Sequence, residues 1–225
     1  ILIFKFPAAI AVGTDLLYAG ITKTFGVFNH NKLGNINWLI VGYLMLGSIP
    51  ASIAMNFYIQ EINTSSPDAI TFIELWLGIA LIFTSVAVLA QPLIILKSNQ
   101  NKLSSTKNTK LLTIFLGFFL GGMVTLTSVG AGAMGVTALL LIYPNMKLKN
   151  IIGTDIAHAV PLTIFAGLGH YTQGNVDKIL LLSLLIGSIP GVWIGSNLSA
   201  KIDEDKLRYI LVIILFGVGL ELILN

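Results

Sequence analysis

Asp15, Asp155 and His158 are ionisable side chains within apolar segments, where an isolated charge is costly. Both aspartates end the sequence Gly-Thr-Asp, which is also a good N-cap sequence. Each aspartate is therefore either a helix cap or a group that faces substrate or protons. His158 follows Asp155 by three residues, so the two would share one helix face and form a candidate proton relay. A hydrogen-bonded packing histidine is the alternative.

Two hydroxyls and one cation accompany these groups. Thr14 and Thr154 precede the aspartates, and each hydroxyl would either cap a helix or donate to a bound anion. Lys23 stands about two helical turns after Asp15. It would attract an anion, pair with Asp15, or extend to the membrane surface. Thr14, Thr154 and Lys23 are thus candidate substrate ligands.

A glycine- and hydroxyl-rich stretch interrupts a long apolar segment at residues 111–143. The interruption predicts an unwound hinge or a hairpin tip, which a membrane tolerates only where protein or water covers the backbone. Free N–H groups at the start of the second half-helix, together with the helix dipole, would favour an anion. A flexible breaker without a ligand is the alternative. The candidate ligands are Thr127, Ser128, Gly130 and Gly132.

The composition indicates lipid as the solvent for much of the surface. Apolar residues make up 55% and charged residues 10% of the 225 residues, and a soluble domain carries about a quarter charged residues. The net charge of +3 does not indicate nucleic acid, because the basic residues fall between apolar spans. Cysteine is absent, which excludes disulfides and thiolate sites. No cofactor or metal site is predicted.

The predicted architecture is an all-α membrane protein formed by one transmembrane domain, 1–225. Its parts would be a first half at 1–96, a cytoplasmic linker at 97–110 and a second half at 111–225. Beside the segment 111–143, apolar spans long enough to cross a bilayer are placed at about 7–28, 38–60, 70–96, 151–169, 177–199 and 207–224.

Charge placement sets the predicted topology. The linker holds four lysines and no acid, whereas residues 61–69 hold two acids and no base, so the linker should be cytoplasmic. A re-entrant or broken hairpin at 111–143 keeps the later basic residues on the same side. A single crossing would place them outside. The basic residues concerned are Lys147, Lys149, Lys201, Lys206 and Arg208.

An internal repeat connects the two halves, with Asp155 lying 140 residues after Asp15. The same offset aligns His30 with His170, which we expect at helix ends near C-terminal carbonyls. It also aligns two Gly-Ser-Ile-Pro segments that predict kinks and close packing. With the hairpin topology the halves run in opposite directions, as in inverted-repeat transporters. The offset would place the first half's own hairpin before residue 1, so we expect a longer parent sequence.

Several motifs together resemble the TauE/SafE sulfite exporter family, and the resemblance covers nearly the whole chain. They are Thr127–Gly135, the Gly-Thr-Asp segments, Gly167–His170, Gly174–Asp177 and Gly187–Gly191. The resemblance implies a multi-pass permease of the inner membrane that moves sulfite or small organosulfur anions outward. It also implies a first glycine-rich hairpin that this sequence does not contain, and it leaves the substrate unspecified.

The sequence therefore predicts a secondary transporter of small sulfur-containing anions, possessing a midplane site and coupled to protons through Asp15, Asp155 and His158. A passive anion channel or a structural subunit of a membrane complex is the alternative. An intramembrane hydrolase is disfavoured, because no nucleophile is paired with a base on a recognisable scaffold. A homo-oligomer remains open.

Overall fold

The computed structural model describes residues 6–62, 64, 66–99, 108–199 and 203–224. Most of the predicted linker, including Lys102 and Lys107, lies outside these ranges, as does Lys201. Within them the chain forms only helices and their connecting turns, which confirms the all-α class. The helices are α1 (Ala8–Lys32), α2 (Trp38–Glu61), α3 (Pro67–Asn99), α4 (Thr109–Thr127), α5 (Ala133–Ile142), α6 (Leu148–Thr172), α7 (Lys178–Ser199) and α8 (Glu204–Leu224).

Among the described residues, five helices are both long and apolar enough to cross a membrane: α2, α3, α4, α6 and α8. The sequence also placed spans at the positions of α1 and α7. Helix α1 is 25 residues long, but it carries Thr14, Asp15 and Lys23, which lower its hydropathy. Of these, Thr14 is fully buried, Lys23 is partly buried and Asp15 is exposed. In α7, Lys178–Ser188 is an apolar stretch.

Helices α4 and α5 divide the long apolar segment at the predicted place. Ser128 has φ 60°, and Gly130 and Gly132 have φ 121° and 131°, so three left-handed residues end α4 and begin α5. Thr113, in the first turns of α4, lies 2.7 Å from the hydroxyl of Tyr143, which follows α5. Helix α5 thus returns beside α4, and the two form a helical hairpin with residues 128–132 at its tip.

Helices α1 and α6 pack against each other in antiparallel directions. Gly20 faces Ile164 and Gly26 faces Ile156, so rising numbers in one helix meet falling numbers in the other. A Cβ on Gly20 would lie 2.7 Å from Cγ1 of Ile164, so the glycine allows the backbones to approach closely. This seam between the two repeat copies forms the centre of the molecule.

The two copies also form the same turn after each of these helices. Asn35 N donates to His30 O at 2.9 Å, and Asn175 N donates to His170 O at 2.9 Å. Gly34 and Gly174 supply the left-handed residue in each turn, with φ 63° and 77°. The internal repeat therefore specifies the same local structure twice.

Candidate substrate site at the hairpin tip

The tip of the α4–α5 hairpin presents a run of free backbone donors. Within the described part of the chain, the N–H groups of residues 130–134 have no acceptor. Gly135 and Val136 are the next donors, and they bond to the carbonyls of Gly130 and Gly132. Successive free N–H groups at a helix start form a concave anion-binding surface, and the dipole of α5 adds positive potential there.

Thr127 supports the tip rather than facing a ligand. Its side chain is buried, its hydroxyl donates to Met123 O at 2.7 Å, and it accepts from Val129 N at 3.2 Å. These bonds hold the last turn of α4 and the first residues of the tip together. Of the two predicted tip hydroxyls, only that of Ser128 reaches beyond the hairpin.

Helix α1 brings one acid and one base to the tip. Ser128 donates its hydroxyl to Oδ2 of Asp15 at 2.7 Å, and Lys23 Nζ donates to the carbonyl of Ala131 at 3.2 Å. Lys23 also lies within electrostatic range of Asp15 and Asp155. The structure thus brings Ser128, which is distant in sequence, together with Asp15 and Lys23 of α1.

Asp155 approaches the same hairpin from α6. Asp155 is 1% exposed, and its Oδ1 atom has no hydrogen-bond partner among the described residues. The carboxyl group lies against Gly135 in the first turn of α5, where a Cβ would come 3.1 Å from the carboxyl carbon and would collide with Oδ1. Asp155 is therefore a buried carboxyl group directly behind the hairpin tip.

Neither aspartate caps a helix. The N-cap positions of α1 and α6 are Pro7 and Lys147, and both aspartates lie two turns into their helices. The capping interpretation of Gly-Thr-Asp is therefore wrong for the helices that contain it.

The two threonines bond to the capping residues of helices in the opposite copy, Asp177 before α7 and Asn37 before α2. Thr14 Oγ1 accepts from Asp177 N at 3.0 Å, just before α7, and Thr154 Oγ1 accepts from Asn37 N at 3.0 Å, just before α2. Both threonines are 0% exposed. The bonds are reciprocal, because each copy holds the capping residue of a helix in the other copy. In this structure the two hydroxyls join the halves.

His158 lies one turn after Asp155 and is also fully buried. Its Nε2 lies 2.9 Å from Ser48 Oγ on α2, whereas Nδ1 has no partner among the described residues. The predicted relay pair thus shares one helix face, although no hydrogen bond joins the two side chains. His158 links α6 to the first of the two Gly-Ser-Ile-Pro segments.

The paired histidines at the helix ends have different partners. His170 Nε2 bonds to the carbonyl of Thr125 at 2.9 Å, in the last turns of α4. His30 Nδ1 is buried and unpartnered among the described residues, and it lies beside Gly153. The expected interaction with C-terminal carbonyls therefore occurs for His170, but the carbonyl belongs to a neighbouring helix.

Sequence reasoning missed Ser48 and Gly135. Ser48 lies in the Gly-Ser-Ile-Pro segment, which indicated only a kink, and its partner His158 is on another helix. Gly135 ends the glycine-rich motif at residues 127–135, so a glycine with a special neighbour was visible there. Its contact with Asp155 depends on how α5 and α6 pack.

Comparisons with known proteins find relatives over nearly the whole chain. The family model for sulfite exporter TauE/SafE matches residues 1–222. A probable membrane transporter protein of Bacillus subtilis, YjnA, is 39% identical over 96% of this chain and 85% of its own length. Another from Methanocaldococcus jannaschii, MJ0441, is 28% identical over 95% of this chain and 79% of its own length. No solved structure gives a significant match.

The apolar helices and the relatives together point to a multi-pass membrane transporter. Because the family model covers nearly the whole sequence, the chain belongs to the TauE/SafE sulfite exporter family.

Proposed function

We propose that the protein is a secondary carrier that exports small sulfur-containing anions, such as sulfite or organosulfonates, across the cell (inner) membrane. The observation that carries this proposal is the run of free N–H groups at residues 130–134, with Lys23 bonded to the same tip. Donors fixed in a loop of this kind bind oxyanions without reorganising. The family membership supports a sulfur oxyanion or sulfonate as the ligand.

In the proposed site the anion's oxygens accept hydrogen bonds from the free N–H groups at the tip. Lys23 supplies the compensating positive charge. Ser128 donates to Asp15, so a proton on Asp15 would weaken this bond and release the Ser128 hydroxyl for the ligand. The glycines at residues 130 and 132 keep the tip free of side chains, which lets an oxyanion reach the backbone.

The two halves are proposed to be an inverted repeat that gives alternating access. The antiparallel contact of α1 with α6 and the reciprocal bonds of Thr14 and Thr154 support a two-fold relation between the copies. In such carriers one repeat rocks against the other around a fixed site. The hairpin tip, which contacts α1, lies where such a motion would expose the anion alternately to each side.

The direct test is binding of sulfite, sulfate, thiosulfate and methanesulfonate to purified protein in detergent, followed by flux into proteoliposomes. A carrier should saturate and show counterflow, whereas a passive channel should conduct without saturating at low substrate. If none of the four anions bound, the proposed function would be abandoned. Dissipating the pH gradient should change the flux, and an unchanged rate would remove Asp155 and His158 from coupling.

Replacement of Lys23 provides the sharpest variant. Lys23→Met keeps the length of the side chain and removes the charge, so we expect anion binding to weaken at least about tenfold, or about 1.4 kcal/mol. Lys32→Met is the matched control on the same helix, because Lys32 is exposed and lies 4.4 Å from the ring centre of Phe28. Equal affinities for the two variants in calorimetric titrations would contradict the assignment of Lys23.

A further inference from the structure

Asp155 places a carboxyl group beside the first turn of α5, next to the proposed anion site. Its Oδ1 is buried and without a partner among the described residues, and it lies against Gly135 in the first turn of α5. A negative charge beside the first turn of a helix is stabilised by the helix dipole. The Asp155 carboxylate therefore supplies a negative charge at the position where a transported anion would supply one.

Glycine at position 135 makes this approach possible. Its φ is not in the left-handed region, so backbone conformation does not require glycine there. A Cβ at this position would collide with the Asp155 carboxyl group. The absence of a side chain at position 135 thus allows Asp155 of α6 to approach α5 closely.

Few other charges act on Asp155 from the helices packed against α6. Helix α1 contributes Lys23, which is within electrostatic range, and Asp15, which bonds to the tip. Helix α5 has no ionisable side chain, α4 has only Lys110 in its first turn, and the only charged residue of α2 is Glu61 at its last position. On α6 itself the neighbour is His158. Near the hairpin, with both aspartates ionised, Lys23 is one cation against the two anions Asp15 and Asp155, a balance that disfavours a further anion.

We propose that the Asp155 carboxylate and the transported anion compete for the positive first turn of α5, so that a proton on Asp155 admits the anion. This deepens the proposed function and rests on it. One proton binds the carboxylate to give a neutral acid, one anion then occupies the turn beside it, and the proton leaves when the anion has departed. The protein would therefore move proton and anion together, one proton for each anion.

The test uses methanesulfonate, whose charge does not change with pH in the relevant range, whereas sulfite itself titrates near neutrality. Calorimetry of the whole chain in buffers of different ionisation enthalpy measures the protons taken up on binding. The wild-type protein should take up about one proton per anion and bind at least about tenfold more tightly at pH ~5 than at pH ~8. Binding without proton uptake would overturn this inference and leave the anion site standing.

Asp155→Asn should bind methanesulfonate without the proton uptake assigned to Asp155, at the strength of the acid form of the wild type. Only the smaller pH dependence that comes from Asp15 at the tip should be left. Glu74→Gln is the control, since Glu74 is a partly buried carboxylate on α3 outside the site. An Asp155→Asn variant that kept the wild-type pH dependence would reject the competition. Should this variant not fold, the proton count of the wild-type protein still decides. A wild-type protein that bound no sulfur anion at any pH would remove the proposed function, and the inference with it.

Discussion

Asp15 and Asp155 occupy the same position in the two copies of the repeat, yet their surroundings differ. Asp15 is exposed and accepts a hydrogen bond from Ser128, whereas Asp155 is buried with one unpartnered oxygen against Gly135. Both contact the same α4–α5 hairpin, one at its tip and one behind its second helix. Because both aspartates contact the same hairpin at different points, the two copies of Gly-Thr-Asp lie in different environments. We infer that the acids have different functions. Asp15 positions the hairpin tip through Ser128, whereas the Asp155 carboxylate competes with the anion.

The largest expected effect comes from filling the space behind the hairpin. Gly135→Ala should lower the free energy of unfolding by about 1–3 kcal/mol, because its methyl group collides with the Asp155 carboxyl group in a packed interior. Thermal unfolding in detergent measures the loss. Gly42→Ala, in α2, is the control, since its Cβ would meet no atom within 4 Å.

The contact predicts non-additivity as well. Combining Gly135→Ala with Asp155→Ala should recover part of the stability lost in the first variant, since the second removes the colliding carboxyl group. If the two effects simply added, the collision would not be the cause of the destabilisation. Equal melting temperatures for Gly135→Ala and Gly42→Ala would refute the buried position of Asp155.

The difference between Asp15 and Asp155 also shows which features of the structure could be predicted from the sequence. Apolar spans and the glycine-rich break predicted the helices and the division of α4 from α5, because both depend on local composition. The environment of Asp155 depends on the packing of α5 against α6, which local pattern does not contain. For the same reason Ser48 was interpreted only as part of a kink, since its partner His158 comes from a distant segment.

A smaller effect should follow from removing the reciprocal hydrogen bonds that Thr14 and Thr154 form between the two halves. Thr14→Val and Thr154→Val keep the side-chain shape, and each leaves one backbone N–H, of Asp177 or Asn37, without its acceptor. Each should cost about 1–2 kcal/mol, the lower part of the range for removing one partner of a buried hydrogen bond, because both bonds are only partly buried. Thr154→Val should cost at least as much as Thr14→Val, because the Thr154 hydroxyl also donates to Asn150 O at 2.6 Å.

Thr24→Val is the control for this pair, since that hydroxyl bonds only to Gly20 O within its own helix. It should change the melting temperature much less than either variant. A large loss in one copy and none in the other would show that the copies are not joined symmetrically, and the inverted-repeat proposal would lose its main support.

The smallest effect is expected at Asp15 and Ser128, where the hydrogen bond is exposed. Ser128→Gly suits the left-handed backbone and removes the hydroxyl, and Asp15→Asn keeps the size of the side chain and removes its charge. Each should change the unfolding free energy by about 0.5–1.5 kcal/mol, and the double variant should cost less than the sum if the two groups act on one bond. Glycine also raises the conformational entropy of the unfolded chain. Ser128→Asn therefore provides a second estimate of the lost bond's contribution to stability, without that entropy change. Fully additive losses in urea titrations would show that Asp15 acts elsewhere. The two acids could then not be distinguished by their contact with the tip.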